Sequence, residues 1–319
     1  MTNGVRKAFL LGAGLGTRLQ PLTNVLPKPL LPVFGKPLIT FALDHLSQLG
    51  IEKFWINTHH LHHKFDVLAS DQRYHELELV FEPDLLETGG GIKNLERKIG
   101  SETFIVYSGD ILTDVAVENL LDAHLAQQNE VTLALRSTGL SSAVRWCSDT
   151  GRIIDFFGVL KSGKGAKYDF AGISIWSPSV FSRIPANAKI SFVPILADWL
   201  KAGGKIGGVL LEENHWFNVG TRAEYLRLHR FIASQRWAPR YIRDPSWPTR
   251  IEPSAEVGPT SRIEGASYVG ENCRVEDNVI IEDSILLPGS SIAMGTSLRS
   301  CIVGGADVPA GSYVEADFV

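Results

Sequence analysis

From residue 251 onward an aliphatic side chain recurs at every sixth position: Ile251, Val257, Ile263, Val269, Val275 and Ile281. The register slips by one to Leu286, Ile292 and Leu298, then resets at Ile302, Val308 and Val314. Gly258, Gly265, Gly270, Gly289, Gly295 and small polar residues fill the spaces. Neither a helix nor an alternating strand has a period of six. A parallel β-helix does, with one apolar side chain per short strand stacked along the axis. Residues 251–319 are therefore expected to form a hexapeptide-repeat β-helix. A linker over 237–250 precedes it, carrying Pro239, Pro245, Trp247 and Pro248.

Residues 1–236 read differently. Strand-like Ala8–Leu11, Lys53–Asn57, Leu77–Phe81 and Thr103–Tyr107 alternate with helical patterns at 38–49, 62–68 and 90–99. Such alternation implies crossover units and an α/β, Rossmann-like domain on a mixed, mostly parallel sheet. A hairpin at 144–157 turns on Ser148-Asp149-Thr150-Gly151, and Phe170–Ile175 is a strand with Gly172 inside it. A final helix runs through Arg236.

The chemistry gathers near the amino terminus. After the first strand comes Leu11-Gly12-Ala13-Gly14-Leu15-Gly16-Thr17-Arg18, then Lys28 among five prolines from Pro21 to Pro37. Alternate glycines let backbone amides approach an anion, and no Asp or Glu precedes Asp44. This is a phosphate-handling loop. A dinucleotide fingerprint would place its third glycine one residue later and an acid about twenty residues on; a Walker loop would carry Gly-Lys-Ser/Thr. Neither fits.

Composition bounds the rest. With 319 residues, 44% hydrophobic content and a net charge of −4, the chain suits a two-domain globular protein and gives no support for nucleic-acid wrapping. Three dispersed cysteines argue against a disulfide framework or a zinc site. No apolar run has the length of a membrane span or a signal-peptide core, so a cytoplasmic setting is expected.

The motif Gly-x-Gly-x-Gly-Thr-Arg-Leu-x-Pro-Leu-Thr, followed by Pro-Lys-Pro-Leu, resembles that of the sugar-nucleotide pyrophosphorylases. Many members of that family also end in a hexapeptide β-helix, there left-handed. The resemblance implies transfer of a nucleotidyl group from an NTP to a sugar 1-phosphate with release of pyrophosphate. It places Leu11, Gly12, Ala13, Gly14, Gly16 and Thr17 around the nucleotide, Arg18 on the leaving pyrophosphate and Lys28 near the reacting phosphorus. Many negative charges must be brought together in such a displacement. Positioning and charge stabilisation therefore suffice, with no covalent nucleophile.

Magnesium is the cofactor the resemblance implies, held by Asp110 in Ser108-Gly109-Asp110 and by Asn218 in Trp216-Phe217-Asn218. Many relatives have Asp where Asn218 stands; some uridylyltransferases have Asn. Thr88 and Gly89 in Glu87-Thr88-Gly89-Gly90-Gly91 match the base-contacting segment, with Glu87 in place of its usual glycine. Glu82 is expected to offer a carboxylate to the base, which leans towards guanine because guanine presents two donors. At the sugar, Gly172 and Lys189 match family positions, but the Glu-Lys-Pro segment of many relatives is missing. Lys161, Lys164 and Lys167 form a basic loop nearby. His59, His60, His62 and His63 are read as ordinary loop residues, not a metal cluster.

GTP with mannose 1-phosphate is the leading expectation, and UTP with an amino-sugar 1-phosphate the alternative. A non-catalytic sensor of sugar nucleotides is a rival of another class. Acyl transfer by the repeats is disfavoured, since the last histidine, His229, precedes them. The repeats are expected to serve homo-oligomerisation or regulation.

Overall fold

A computed structural model describes residues 4–74 and 76–319. They form two compact units. One comprises the described residues up to Gly14, Ala42–Gly109 and Thr113–Trp216; the other comprises Leu15–Phe41, Asp110–Leu112 and Phe217–Val319.

The first unit is built on a nine-stranded sheet: β1 (Lys7–Leu11), β2 (Lys53–Thr58), β3 (Glu76–Phe81), β4 (Phe104–Ser108), β5 (Val131–Arg136), β6 (Val144–Cys147), β7 (Arg152–Phe156), β8 (Ala166–Trp176) and β9 (Ile206–Leu210). Their spatial order is β3-β2-β1-β4-β8-β5-β9-β7-β6. β1 pairs in parallel with β2 and β4, setting Leu11 between Asn57 and Ser108. The expectation of a mixed, mostly parallel sheet holds here and again where β9 runs parallel to β5. β8 runs antiparallel to β4, β5 and β6, and β7 antiparallel to β6 and β9. The reason is local: β6, β7 and β8 follow one another through loops, with no crossover helix to carry the chain back before the next strand. The register of β8 shifts between Phe170 and Ser174, where Gly172 takes φ +81°. The glycine inside that strand is thus the site of a bulge.

Five helices follow their apolar spacing: α1 (Leu38–Gln48), α2 (Glu87–Asn94), α3 (Val117–Ala126), α4 (Phe192–Lys201) and, in the second unit, α5 (Arg222–Gln235). The expected helix over 90–99 is two pieces, α2 and the turn Glu96–Ile99. Phe9, Ile92, Phe104, Leu133, Trp176 and Trp199 are buried together in the first unit's core. Two polar knots hold its loops. Asp169 accepts hydrogen bonds from the Thr138 hydroxyl (2.5 Å) and from the Ser141 and Ser142 amides (2.7 and 2.5 Å). Burial pushes its carboxyl up, but those donors outweigh it and hold the group well below the ordinary carboxylate range. Asp155 ties the next loop by accepting from the Leu160 and Ser162 amides (2.9 and 3.0 Å).

In the second unit residues 251–319 form three parallel four-stranded sheets, the arrangement of a parallel β-helix. Glu256 pairs with Arg274, Arg274 with Ser291, and Ser291 with Asp307, so the coil shortens from eighteen residues to sixteen. That shortening explains the slipped register in the sequence and corrects its last turn. Val269, Leu286 and Val303 stack inside, so Val303 rather than Ile302 is the core residue. Leu298 likewise pairs with Tyr313, leaving Val314 66% exposed.

Ile302 has a different duty. With Tyr268 and Ile285 it forms a buried outward column on the same face, packed in one cluster with Leu22, Leu31, Val33 and Phe34 of the amino-terminal loop. That face is apolar on both sides, which is why the sequence shows the doublets Tyr268-Val269, Ile285-Leu286 and Ile302-Val303. The loop itself is three short 3-10 turns, Thr17–Leu19, Leu22–Asn24 and Lys28–Leu30, followed by the paired Pro32–Val33 and Lys36–Pro37. Tyr225 Oη donates to the Pro32 carbonyl (2.6 Å), and Trp247 Nε1 donates to the Val33 carbonyl (2.9 Å). Residues 237–250 thus carry buried aromatics, Tyr241 and Trp247, that close over the loop.

Candidate active site

The three loop glycines are glycine for three different reasons. A side chain at Gly12 would collide with the Asn57 carbonyl at 2.7 Å and Ile56 Cγ2 at 2.8 Å, so close packing on β2 requires its absence. Gly16 takes φ +63° and caps the turn Thr17–Leu19. Gly14 has neither constraint: nothing lies within 4 Å of where its Cβ would be. It is the glycine that the fold leaves unexplained, and open backbone there suits the approach of a ligand.

Within the first unit, Asn57 fastens the start of this loop. Asn57 Oδ1 accepts from the amides of Gly12 (2.8 Å) and Ala13 (3.3 Å). Those two amides therefore point inward. Their hydrogen-bonding capacity is spent on Asn57. Asn57 Nδ2 donates to Glu82 Oε1 (2.9 Å), and Glu82 Oε2 accepts from the Leu86 amide (3.0 Å). Glu82 is 1% exposed. Expected as a carboxylate for the base, it faces Asn57 and the start of α2 instead, because both oxygens satisfy donors that burial would otherwise orphan.

Thr88 and Gly89 open α2. The Thr88 hydroxyl accepts from the Phe192 amide (3.1 Å) at the start of α4. A Cβ at Gly89 would lie 2.8 Å from the Ile190 carbonyl, and one at Gly90 would lie 2.3 Å from the Ala188 carbonyl. Glu87 itself takes φ +60°, the left-handed conformation that glycine adopts most readily. Gly172 lies at its bulge, half-buried, with Trp216 Nε1 donating to the adjacent Ala171 carbonyl (2.8 Å). Lys189, Lys161, Lys164 and Lys167 are exposed.

In the second unit the charged residues converge. Lys28 Nζ donates to Asp110 Oδ2 in an ion pair whose side chains are 13% and 27% exposed. The Val219 amide donates to the Asp110 carbonyl (2.9 Å), which brings half-buried Asn218 to the same strand end. A Cβ on Gly220 would fall 2.8 Å from an Arg18 guanidinium nitrogen and 3.1 Å from Glu224 Oε2. Arg18 therefore lies on bare backbone beside a carboxylate. Glu224 Oε2 accepts from the Gly220 amide (2.9 Å) and the Thr221 hydroxyl (3.0 Å), a capping box at the start of α5. Asn57 and Glu224 were not singled out from the sequence. The pattern Thr221-x-x-Glu224 is legible there, whereas Asn57 is marked only by ending a buried strand.

The histidines of the 59–63 stretch have local partners: His59 Nδ1 bonds to the Glu82 carbonyl (2.7 Å), and the His62 ring packs on Phe81 at 4.3 Å. Among the described residues no three His, Cys, Asp or Glu side chains gather as a metal cluster. A divalent ion would rest on few protein ligands and complete its shell elsewhere. Among the described residues no helix is long and apolar enough to cross a membrane.

Known proteins place this geometry. Residues 7–235 match the family model described as nucleotidyl transferase, and residues 247–315 match the GMPPB C-terminal domain. Mannose-1-phosphate guanylyltransferase of Mycobacterium tuberculosis is 30% identical over 275 residues, covering 84% of this chain and 76% of its own. N-acetylmuramate alpha-1-phosphate uridylyltransferase of Neisseria meningitidis is 30% identical over 231 residues, covering 67% of this chain and 93% of its own. UTP--glucose-1-phosphate uridylyltransferase of Synechocystis is 25% identical over 296 residues, covering 85% and 75%. The chain is an enzyme of the nucleotidyl transferase family, related to the sugar-1-phosphate guanylyl- and uridylyltransferases.

Proposed function

We propose that the protein couples GTP to mannose 1-phosphate, giving GDP-mannose and pyrophosphate. The relative named for that reaction covers 84% of the chain, and the GMPPB C-terminal domain matches the carboxy-terminal repeats at 247–315. The observation that carries the chemistry is the Lys28–Asp110 pair beside Asn218. Asp110 keeps one carboxylate oxygen clear of Lys28, and Asn218 adds an amide carbonyl. Two oxygen donors fit a hard divalent cation that keeps substrate phosphates and water as its other ligands. Magnesium bound there supplies charge neutralisation for the phosphates. The rest is the work of the chain. Lys28 holds its ammonium near the α-phosphate and Arg18 offers its guanidinium to the leaving pyrophosphate. Gly14, Gly16 and Thr17 present backbone to the phosphates, and Thr88 and Gly89 border the base. Gly172 leaves room for the hexose, and Lys189 reaches its phosphate.

Residues to about 236 make up the catalytic domain in this reading, and 251–319 a left-handed β-helix used for homo-oligomer assembly in the cytoplasm. UTP with N-acetylmuramate 1-phosphate is the second reading, favoured by the Neisseria relative at equal identity. Pyrophosphate release across four NTPs and a panel of sugar 1-phosphates decides between them. Turnover with GTP and mannose 1-phosphate at least tenfold above every other pair supports the proposal; preference for UTP overturns it.

A further inference from the structure

The buried pair at the ends of β2 and β3 is not a ligand contact, and its geometry points to another task. We propose that Asn57 is the positioning residue of the nucleotide turn, with Glu82 setting which end of its amide meets Gly12 and Ala13. The inference rests on the nucleotidyl-transfer reading above. An asparagine amide is nearly symmetric in shape, so packing alone does not choose its orientation. Chemistry does: the turn presents two N–H donors and requires the carbonyl.

Glu82 enforces that choice because an ionised carboxylate only accepts, drawing Nδ2 to itself at 2.9 Å. Its second oxygen takes the Leu86 amide at the start of α2, where the helix's partial positive charge favours an anion. Among the described residues it makes no ion pair. Gly91 lets α2 seal the pair: a Cβ there would stand 3.1 Å from Glu82 Oε1 and 3.3 Å from Asn57 Nδ2. One buried carboxylate thereby ties the phosphate turn to the segment beginning at Leu86. NTP binding depends on two side chains, 4% and 1% exposed, that the NTP does not touch.

The test is a reciprocal exchange. Asn57→Asp sets two acceptors against each other, and Glu82→Gln removes the acceptor that orients the amide. The double variant N57D/E82Q restores every pairing at unchanged net charge. The new carboxylate accepts from Gly12, Ala13 and the new amide, whose carbonyl accepts from Leu86. Each single variant is expected to raise the KM for NTP by about tenfold or more, the loss of one buried hydrogen bond, with a smaller change in kcat. The double variant is expected to return that KM to within about threefold of wild type, and calorimetric NTP affinity to follow it. A double variant no better than the worse single one overturns the inference, as does loss confined to kcat. Wild-type protein that binds NTP but releases no pyrophosphate with any sugar 1-phosphate removes the functional reading instead. The exchange is then read by calorimetry alone.

Discussion

The chain has two glycine clusters, and Gly14 in the first is glycine for the opposite reason from Gly89 and Gly90 in the second. At Gly89 and Gly90 the missing side chains are replaced by the protein itself, with carbonyls of the 188–190 segment filling the space. At Gly14 the space stays open. The sequence shows the same residue type in both places. Only the neighbours separate a glycine that lets two segments touch from one that leaves room for something else. The first kind is a matter of stability, the second of binding.

Three experiments press on that contrast. The largest effect is expected where the amino-terminal loop carries charge. Lys28→Ala should lower kcat at saturating substrates by about a hundredfold or more, since one preorganised cation at the reacting phosphate is removed. A change in KM alone would reduce Lys28 to a binding group. Next come the glycines as a pair. In Gly90→Ala, helix propensity favours alanine by about 1 kcal/mol. The backbone carbonyl at 2.3 Å cannot yield, and overpacking of this kind costs about 1–3 kcal/mol, so a lower melting temperature is expected. Gly14→Ala should leave melting unchanged and raise the KM for NTP. Were the two variants to exchange phenotypes, the distinction would collapse.

A dependence on pH, not on substitution, is shared by both units. Burial lowers the pKa of His45 and His124 to about 4 and that of His229 to about 3. Above pH 6.5 each is neutral whether folded or not, and stability is unaffected. Below it the unfolded chain takes up protons that the folded one refuses. Stability therefore falls by about 1.4 kcal/mol per pH unit for each such histidine between pH 6.5 and 4. Denaturant midpoints measured across that interval check the slope; a flat profile would mean that these rings protonate in place.

Much of the architecture was legible because it is periodic. The six-residue repeat, the hairpin at 144–157 and the first four strands each follow from spacing that packing repeats along an axis or a face. The departures came where a residue serves two surfaces at once. Ile302 fits the repeat by count, yet it packs outward because its strand is buried on both sides. The parallel expectation failed at β8, whose direction is set by what precedes it, a fact no local pattern encodes. At the site, Arg18, Lys28 and Asp110 stand out by type and motif. Asn57 does not, and Glu82 stands out for the base and not for its partners, because an asparagine and a glutamate in a single sequence carry no mark of the amides they satisfy. Their partners lie 45 and 25 residues away along the chain.

The floor of the amino-terminal loop has a consequence in time. Pro32 and Val33 are held by Tyr225 and Trp247, separated from them by 193 and 214 positions, and Leu22 shares a cluster with Ile302. Contacts so distant in sequence close slowly and late. On a ribosome the segment bearing Arg18 and Lys28 emerges well before Tyr225 and Trp247, which support its floor. A nascent chain therefore carries its reactive charges long before it can aim them, and activity waits for those supports to be made and packed.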